Sequence, residues 1–308
     1  MMEFSHKTVL LREAVEGLNI RPDGIYVDGT AGGGGHSAEI AARLKKGMLY
    51  SFDRDAEAIA AAGKRLAGLR AELIHAEFSR MKGELAARGV SAVDGILLDL
   101  GVSSHQLDDA ERGFSYSQDA PLDMRMSSTG MTAAELLNTA PQAQIERILR
   151  VYGEEKFSSR IASKICARRE ENPLSTTGEL AAIIRESIPA AARREGGNPC
   201  KRTFQAVRIA VNDELGELER VLEEGFSLLA PGGRFVIITF HSLEDRLVKQ
   251  SFAERKKGCV CPPDFPVCVC GKTPQGKLVN TKPILPSEEE LAENKRSKSA
   301  KLRILEKL

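Results

Sequence analysis

The stretch Gly24-Ile-Tyr-Val-Asp-Gly-Thr-Ala-Gly-Gly-Gly-Gly-His36 constrains this chain more than any other. Ile25, Tyr26 and Val27 supply the β-branched and aromatic residues of a strand. The glycines at 32–35 free the backbone to adopt positive φ and remove any Cβ from the path of a ligand. The pattern predicts a helix over Ser37–Leu44, whose first N–H groups point at whatever rests on the turn. A second strand, Gly47–Phe52, leads to Asp53. An acid about 20 residues beyond such a turn, at the next strand's tip, can accept both hydroxyls of a ribose. The first role expected of the chain is to hold a nucleoside-containing cofactor.

The alternation continues. Residues 7–19 carry a helical apolar stripe, and helices are predicted over 56–69 and 79–88, with strands at Ala71–His75 and Val93–Asp99. Val93–Asp99 is apolar enough to be buried on both faces, as in a parallel sheet. The rhythm breaks after Leu100. Residues 101–130 read as loop, followed by helical patterns over 132–138, 142–152, 156–169, 177–187 and 203–229, with no strand between them. That is a helical insertion of roughly a hundred residues. The sheet resumes with a Pro-Gly-Gly turn in 229–233, a strong strand at Arg234–Phe240 and a helix from His241, with Ser242 its expected N-cap. A last strand is expected over Ala300–Leu305. Length and composition, 308 residues and 42% hydrophobic, suffice for such a core. No apolar run reaches the length of a spanning helix, so the expected location is the cytoplasm and no membrane partner is expected.

The cofactor class follows from what the turn lacks. A dinucleotide fingerprint counted from Gly32 puts Ser37 where the third glycine belongs, and there is no second mononucleotide-binding half. S-adenosylmethionine needs only one half: a glycine turn, an acid for the ribose and an apolar shelf for the adenine. Phe78, ending the third strand, suits that shelf. Asp99 ends the fourth strand on the carboxyl edge, where open α/β sheets bind ligands.

Longer motifs add to this. Asp28-Gly-Thr-Ala-Gly-Gly-Gly-Gly-His-Ser37, Asp53-Arg-Asp55, Leu98-Asp-Leu-Gly-Val-Ser-Ser104, Gln106–Ser115, Pro121–Met126, Arg202–Ile209 and Phe240–Arg246 occur in order along nearly the whole chain. Together they resemble the bacterial 16S rRNA (cytosine-N4)-methyltransferase family, also called MraW. The resemblance implies an α/β fold, a Rossmann-like S-adenosylmethionine-dependent methyltransferase sheet carrying an inserted all-helical domain. The expected layout is residues 1–108 and 213–308 for the sheet domain and 109–212 for an RNA-recognition insertion. It implies methylation of a cytosine N4 amine in the decoding region of 16S rRNA, within the small ribosomal subunit. The family's cofactor contacts fall on Gly34, Gly35, His36, Asp53, Phe78, Asp99 and Gln106, alongside the Gly32 backbone. Whether the chain is a monomer or a dimer stays open.

Cytosine N4 is a poor nucleophile because its lone pair is delocalised into the ring. An acceptor for its hydrogens would help. The usual amine-methyltransferase motif, a polar residue followed by Pro-Pro and an aromatic, is absent here; the strand tip reads Asp99-Leu-Gly-Val-Ser103. Asp99 is the first candidate acceptor, followed by Ser103, Asp123 and His241. Net charge is only +1, but the first 150 residues carry four more acidic than basic groups and the remainder five more basic than acidic. Arg193, Arg194, Lys201, Arg202 and Arg208, with runs at 255–257 and 295–298, are the candidate phosphate contacts. Cys259, Cys261, Cys268 and Cys270 crowd around a Pro-Pro turn. They fit a tetrahedral Zn²⁺ in number, though Cys-x-Cys is tighter than common zinc spacings. The alternative is a hairpin with small buried cysteines.

Overall fold

The computed structural model describes residues 8–195, 197–262, 267 and 269–308. The chain forms two compact units, Met1–Gly101 with Leu215–Leu308, and Val102–Glu214. The sheet unit begins with α1 (Leu11–Gly17), β1 (Ile25–Asp28), α2 (Gly35–Ala42), β2 (Met48–Asp53), α3 (Ala56–Leu66), β3 (Ala71–His75), α4 (Met81–Ala87) and β4 (Val93–Asp99). The helical unit holds α5 (Ser104–Asp108), α6 (Ala133–Thr139), α7 (Gln142–Gly153), α8 (Ser158–Glu171), α9 (Thr177–Ser187), α10 (Ala190–Glu195) and α11 (Cys200–Asn212). The chain returns through α12 (Glu214–Leu228), β5 (Leu229–Thr239), α13 (Ser242–Lys256), β6 (Gly276–Leu278), α14 (Glu288–Glu293) and β7 (Lys301–Lys307).

The strands form one sheet in the order β3-β2-β1-β4-β5-β7-β6. β1 to β5 pair in parallel, while β7 runs antiparallel to both β5 and β6. This is the Rossmann-like arrangement. The chain steps outward from β1 through β2 to β3, then crosses to β4 on the other side of β1. The order therefore reverses between β1 and β4, and the crevice at their carboxyl ends is where such sheets take ligands. Core residues alternate faces: Val27, Ile96, Leu98, Phe235 and Ile237 pack on one side, and Tyr26, Leu97, Val236 and Ile238 on the other. Burial on both faces explains why β4 and β5 read as unbroken apolar runs. The helical unit has its own core, including Leu137, Ile145, Leu149, Ile161, Ile165, Ile184, Phe204 and Val207.

Four local expectations need correction. Residues 203–229 are two helices, because Asp213 takes φ 48° and ends α11. The segment 229–233 is part of β5: Val93 pairs with Leu229 and Gly95 with Arg234, so the Pro-Gly-Gly turn is a bulge inside one strand. The N-cap of α13 is His241, one residue before Ser242. The loop read over 101–130 contains α5 and a 3₁₀ turn at Ala110–Arg112. The units meet in sequence at Gly101/Val102 and Glu214/Leu215.

Candidate active site

Three neighbouring strands end in aspartates: Asp28 on β1, Asp53 on β2 and Asp99 on β4. Asp28 is fully buried. It accepts from the Ser37 hydroxyl at 2.6 Å and the Thr30 N–H at 3.0 Å. Burial raises its pKa, and those hydrogen bonds only partly oppose the rise. Its role is to fasten the turn to α2. Ser37 in turn lies 3.0 Å from the Ser51 hydroxyl of β2.

The turn divides its glycines by function. Gly32 sits at φ 50° and Gly34 at φ 78°, backbone conformations that favour glycine. A Cβ on Gly32 would meet nothing nearer than the Thr30 carbonyl at 4.0 Å, so this face is open. A Cβ on Gly34 would come within 3.2 Å of the Ala62 Cα, and one on Gly35 would overlap Thr8. Those two glycines admit the chain's own α3 and N-terminal segment. Helix α2 starts at Gly35, two residues earlier than predicted, and Gly34 offers its N-terminus no side-chain cap. An uncapped helix N-terminus favours an anion.

Asp53 is held by two backbone donors, Gly32 N–H at 2.8 Å and Asp55 N–H at 2.9 Å, one on each oxygen. A carboxylate so placed keeps further lone pairs on both oxygens. Burial pushes its pKa up to about 6; the two N–H groups lower it, while Asp55 and Asp28 raise it.

Asp99 has the most unbalanced environment. Its Oδ1 is buried with no hydrogen-bond partner among the described residues. Its backbone N–H donates to the Thr30 hydroxyl at 2.6 Å. Thr30 had no role in the sequence reading; its position between Gly29 and Ala31 carried no signal of this brace. Burial lifts the Asp99 carboxyl well above the usual range, and the carboxylates of Asp28, Glu244 and Glu290 lift it further. The side chain next to it is His36, buried, with Nδ1 3.8 Å from Asp99 Oδ2. His36 Nε2 donates to the Val9 carbonyl at 3.1 Å, which assigns the proton to Nε2. Burial lowers the His36 pKa to about 4, so the ring is neutral and turns a lone pair toward Asp99. Asp99 thus faces no compensating cation from this side chain.

The other expected residues sit in local structure. Phe78 does not end β3, which stops at His75; it opens a 3₁₀ turn and is half-buried against the β-sheet core, beside Gly29. His241 caps α13: Glu244 N–H donates weakly to its Nδ1 at 3.4 Å, and Glu244 Oε2 accepts from the Phe240 and His241 N–H groups at 2.8 and 3.2 Å. In the helical unit, Ser103 and Gln106 form a reciprocal capping box, with Gln106 N–H to Ser103 Oγ at 3.2 Å and Ser103 N–H to Gln106 Oε1 at 3.0 Å. Asp123 binds Arg125 through two side-chain hydrogen bonds, at 2.8 and 2.7 Å. Burial would raise the Asp123 pKa, but the bonds and charge of Arg125 outweigh it and hold the carboxyl below its usual range.

The basic candidates also divide. Arg208 is tied to Glu214 at 2.8 and 2.9 Å. Arg255 lies 4.1 Å from the Phe226 ring centroid and donates to the Leu222 carbonyl. Both are structural. Arg193, Arg194, Lys201 and Arg202 are exposed. Cys259, Cys261 and Cys270 converge, while Cys268 lies outside the described residues.

The chain is 56% identical over 312 residues to the protein named Ribosomal RNA small subunit methyltransferase H from Heliobacterium modesticaldum, covering 100% of both chains. It is 56% identical over 315 residues to the protein of that name from Paenibacillus sp., covering 99% of this chain and 100% of that one. The protein of that name from Symbiobacterium thermophilum is 54% identical over 311 residues, covering 100% of this chain and 98% of its own. Residues 3–308 match the profile of the MraW methylase family, and the chain belongs to that family of methyltransferases, whose methyl donor is S-adenosylmethionine.

Proposed function

We propose that this chain transfers a methyl group from S-adenosylmethionine to the exocyclic N4 amine of a cytosine in the decoding region of 16S rRNA. The names of full-length relatives support small-subunit rRNA as the substrate class. The cytosine and its N4 atom rest on the motif resemblance and on one observation: the buried, unpartnered Oδ1 of Asp99 at the β4 tip. A carboxyl raised in pKa and lacking a cation suits a group that must accept N–H hydrogens and then a proton.

The residues present fit the donor. The open Gly32 face, the uncapped start of α2 and the two-oxygen seat of Asp53 match, in turn, close backbone approach, a carboxylate and a ribose. When bound, S-adenosylmethionine supplies an electrophilic methyl on a sulfonium. Asp53 holds the ribose hydroxyls, Gly34, Gly35 and His36 line the methionine end, and Phe78 flanks the adenine. Asp99 accepts an N4 hydrogen at Oδ1, localising the nitrogen lone pair, and takes the proton afterwards. Neutral His36 sets the local field without competing for that proton. Asp123 is held by Arg125, Ser103 serves as a cap, and His241 spends Nδ1 on a cap while its Nε2 is buried without a hydrogen-bond partner among the described residues, so Asp99 is the first candidate acceptor and His241 the second. Exposed Arg193, Arg194, Lys201 and Arg202 contact phosphates, and the target base is splayed out of its stack.

The test is nucleoside mass spectrometry of 16S rRNA after incubation of small subunits with the protein and isotopically labelled donor. Label in N4-methylcytidine is expected. Label in another nucleoside, or no label from protein that takes up the donor, would overturn the reading.

A further inference from the structure

The segment between α13 and β6 is closed at its base by a backbone bond, Gln275 N–H to the Arg255 carbonyl at 2.8 Å. Within it Cys259, Cys261 and Cys270 bring their sulfurs within 4.8 Å of one another. Backbone amides aim at these sulfurs. Val260 N–H donates to Cys270 Sγ, Cys261 N–H to Cys259 Sγ and Val269 N–H to Cys261 Sγ, each at 3.4 Å. Such N–H donors stabilise thiolates.

Hydrophobic burial does not account for the convergence. Val260, Val267 and Val269 are 48%, 69% and 73% exposed. Among the described residues of 257–272 there is no strand, and Cys259 and Cys270 are exposed, so these cysteines are not the small buried residues expected of a hairpin. Three thiols gather on a surface segment, each accepting an amide N–H, and Cys270 Sγ also donates to Cys259 Sγ at 3.7 Å, a grouping that suits a sulfur-seeking ion. Lys256, Lys257 and Lys272 flank the cluster in sequence, and Lys257 and Lys272 both pair with Glu254, at 3.8 and 3.5 Å.

We propose that Cys259, Cys261 and Cys270 bind a Zn²⁺ ion that staples this segment, independently of the methyl-transfer site. Soft thiolates select zinc among the common divalent ions. Binding converts three thiols to thiolates and releases three protons to solvent, with no change of oxidation state.

The experiment uses the full chain, purified under reducing conditions, dialysed against Zn²⁺ and then metal-free buffer, with zinc measured by elemental analysis. About one zinc per chain is expected, falling to below about a tenth in the Cys259→Ser/Cys261→Ser/Cys270→Ser variant. Uptake of S-adenosylmethionine by that variant should be unchanged. Should the variant fail to fold, Co²⁺ loading of the unmodified chain decides. Thiolate-to-cobalt charge-transfer absorption with intense tetrahedral d–d bands supports the site, and an octahedral spectrum overturns it. Zinc below about a tenth per chain in the reduced wild-type protein would overturn it too. So would zinc retained by the triple variant, or a Cys259–Cys270 disulfide in freshly isolated protein.

Discussion

Asp53 and Asp99 share a chemistry and differ in what surrounds them. Asp53 is seated by two amides, while Asp99 has an oxygen with no partner. Replacing Asp99 with Asn keeps the shape and removes the proton acceptor. Methyl transfer should fall by about 10²–10⁴ while RNA affinity changes less than about threefold; a single-turnover assay beside a filter-binding titration separates the two. Equal losses would return Asp99 to a binding role. The pH dependence of cofactor uptake belongs to Asp53, whose pKa is pushed up to about 6. A raised carboxyl contributes stability that is fully present below its ordinary pKa near 3.8 and is lost as pH rises through about 6. The unliganded fold therefore carries a buried charge at neutral pH that ribose hydroxyls can satisfy. Between pH 7.5 and 5.5 the ionised fraction drops to about a quarter, so affinity for the donor should weaken about fourfold, and a flat calorimetric profile would contradict this. The positions of both aspartates were legible in the sequence, because strand-tip acids after apolar runs have few other uses. Their protonation balance was not, since it comes from burial and from carboxylates far away in sequence, Glu244 and Glu290.

At the scale of elements, periodicity located the long helices and the central strands but not their interruptions. Asp213 breaks a stripe that reads as one helix over 203–229, and only the tolerance of Asp for positive φ hints at it. The β5 bulge hid in a Pro-Gly-Gly run that looks like a plain turn, and three-residue β6 has no period to detect. Basic residues were legible as charges but not as partners. Arg208 and Lys201 lie on the same helix, yet Arg208 is bonded to Glu214 and Lys201 is exposed. Arg208→Ala should destabilise the protein by about 1–3 kcal/mol, read as a lower urea midpoint. Lys201→Ala should leave that midpoint within about 0.5 kcal/mol and lower the salt slope of RNA binding by about one. A reversed pattern would show that Arg208 faces the RNA.

For the whole molecule, two cores are built from different stretches of chain. The insertion was visible as the place where strands stop, and its helices fill their own core; the sheet unit is assembled from residues on both sides of it. Among the described residues no helix is long and apolar enough to cross a membrane. The reversal of strand order between β1 and β4 sets three aspartates along one edge, the edge proposed to hold the methyl donor. Isothermal titration of S-adenosylmethionine into the full chain and into Asp53→Ala measures this most directly. One-to-one uptake by the wild-type protein is expected, with at least about tenfold weaker uptake by the variant, a loss of about 1.4 kcal/mol or more. No uptake by folded wild-type protein, or equal affinity in the two, would contradict it.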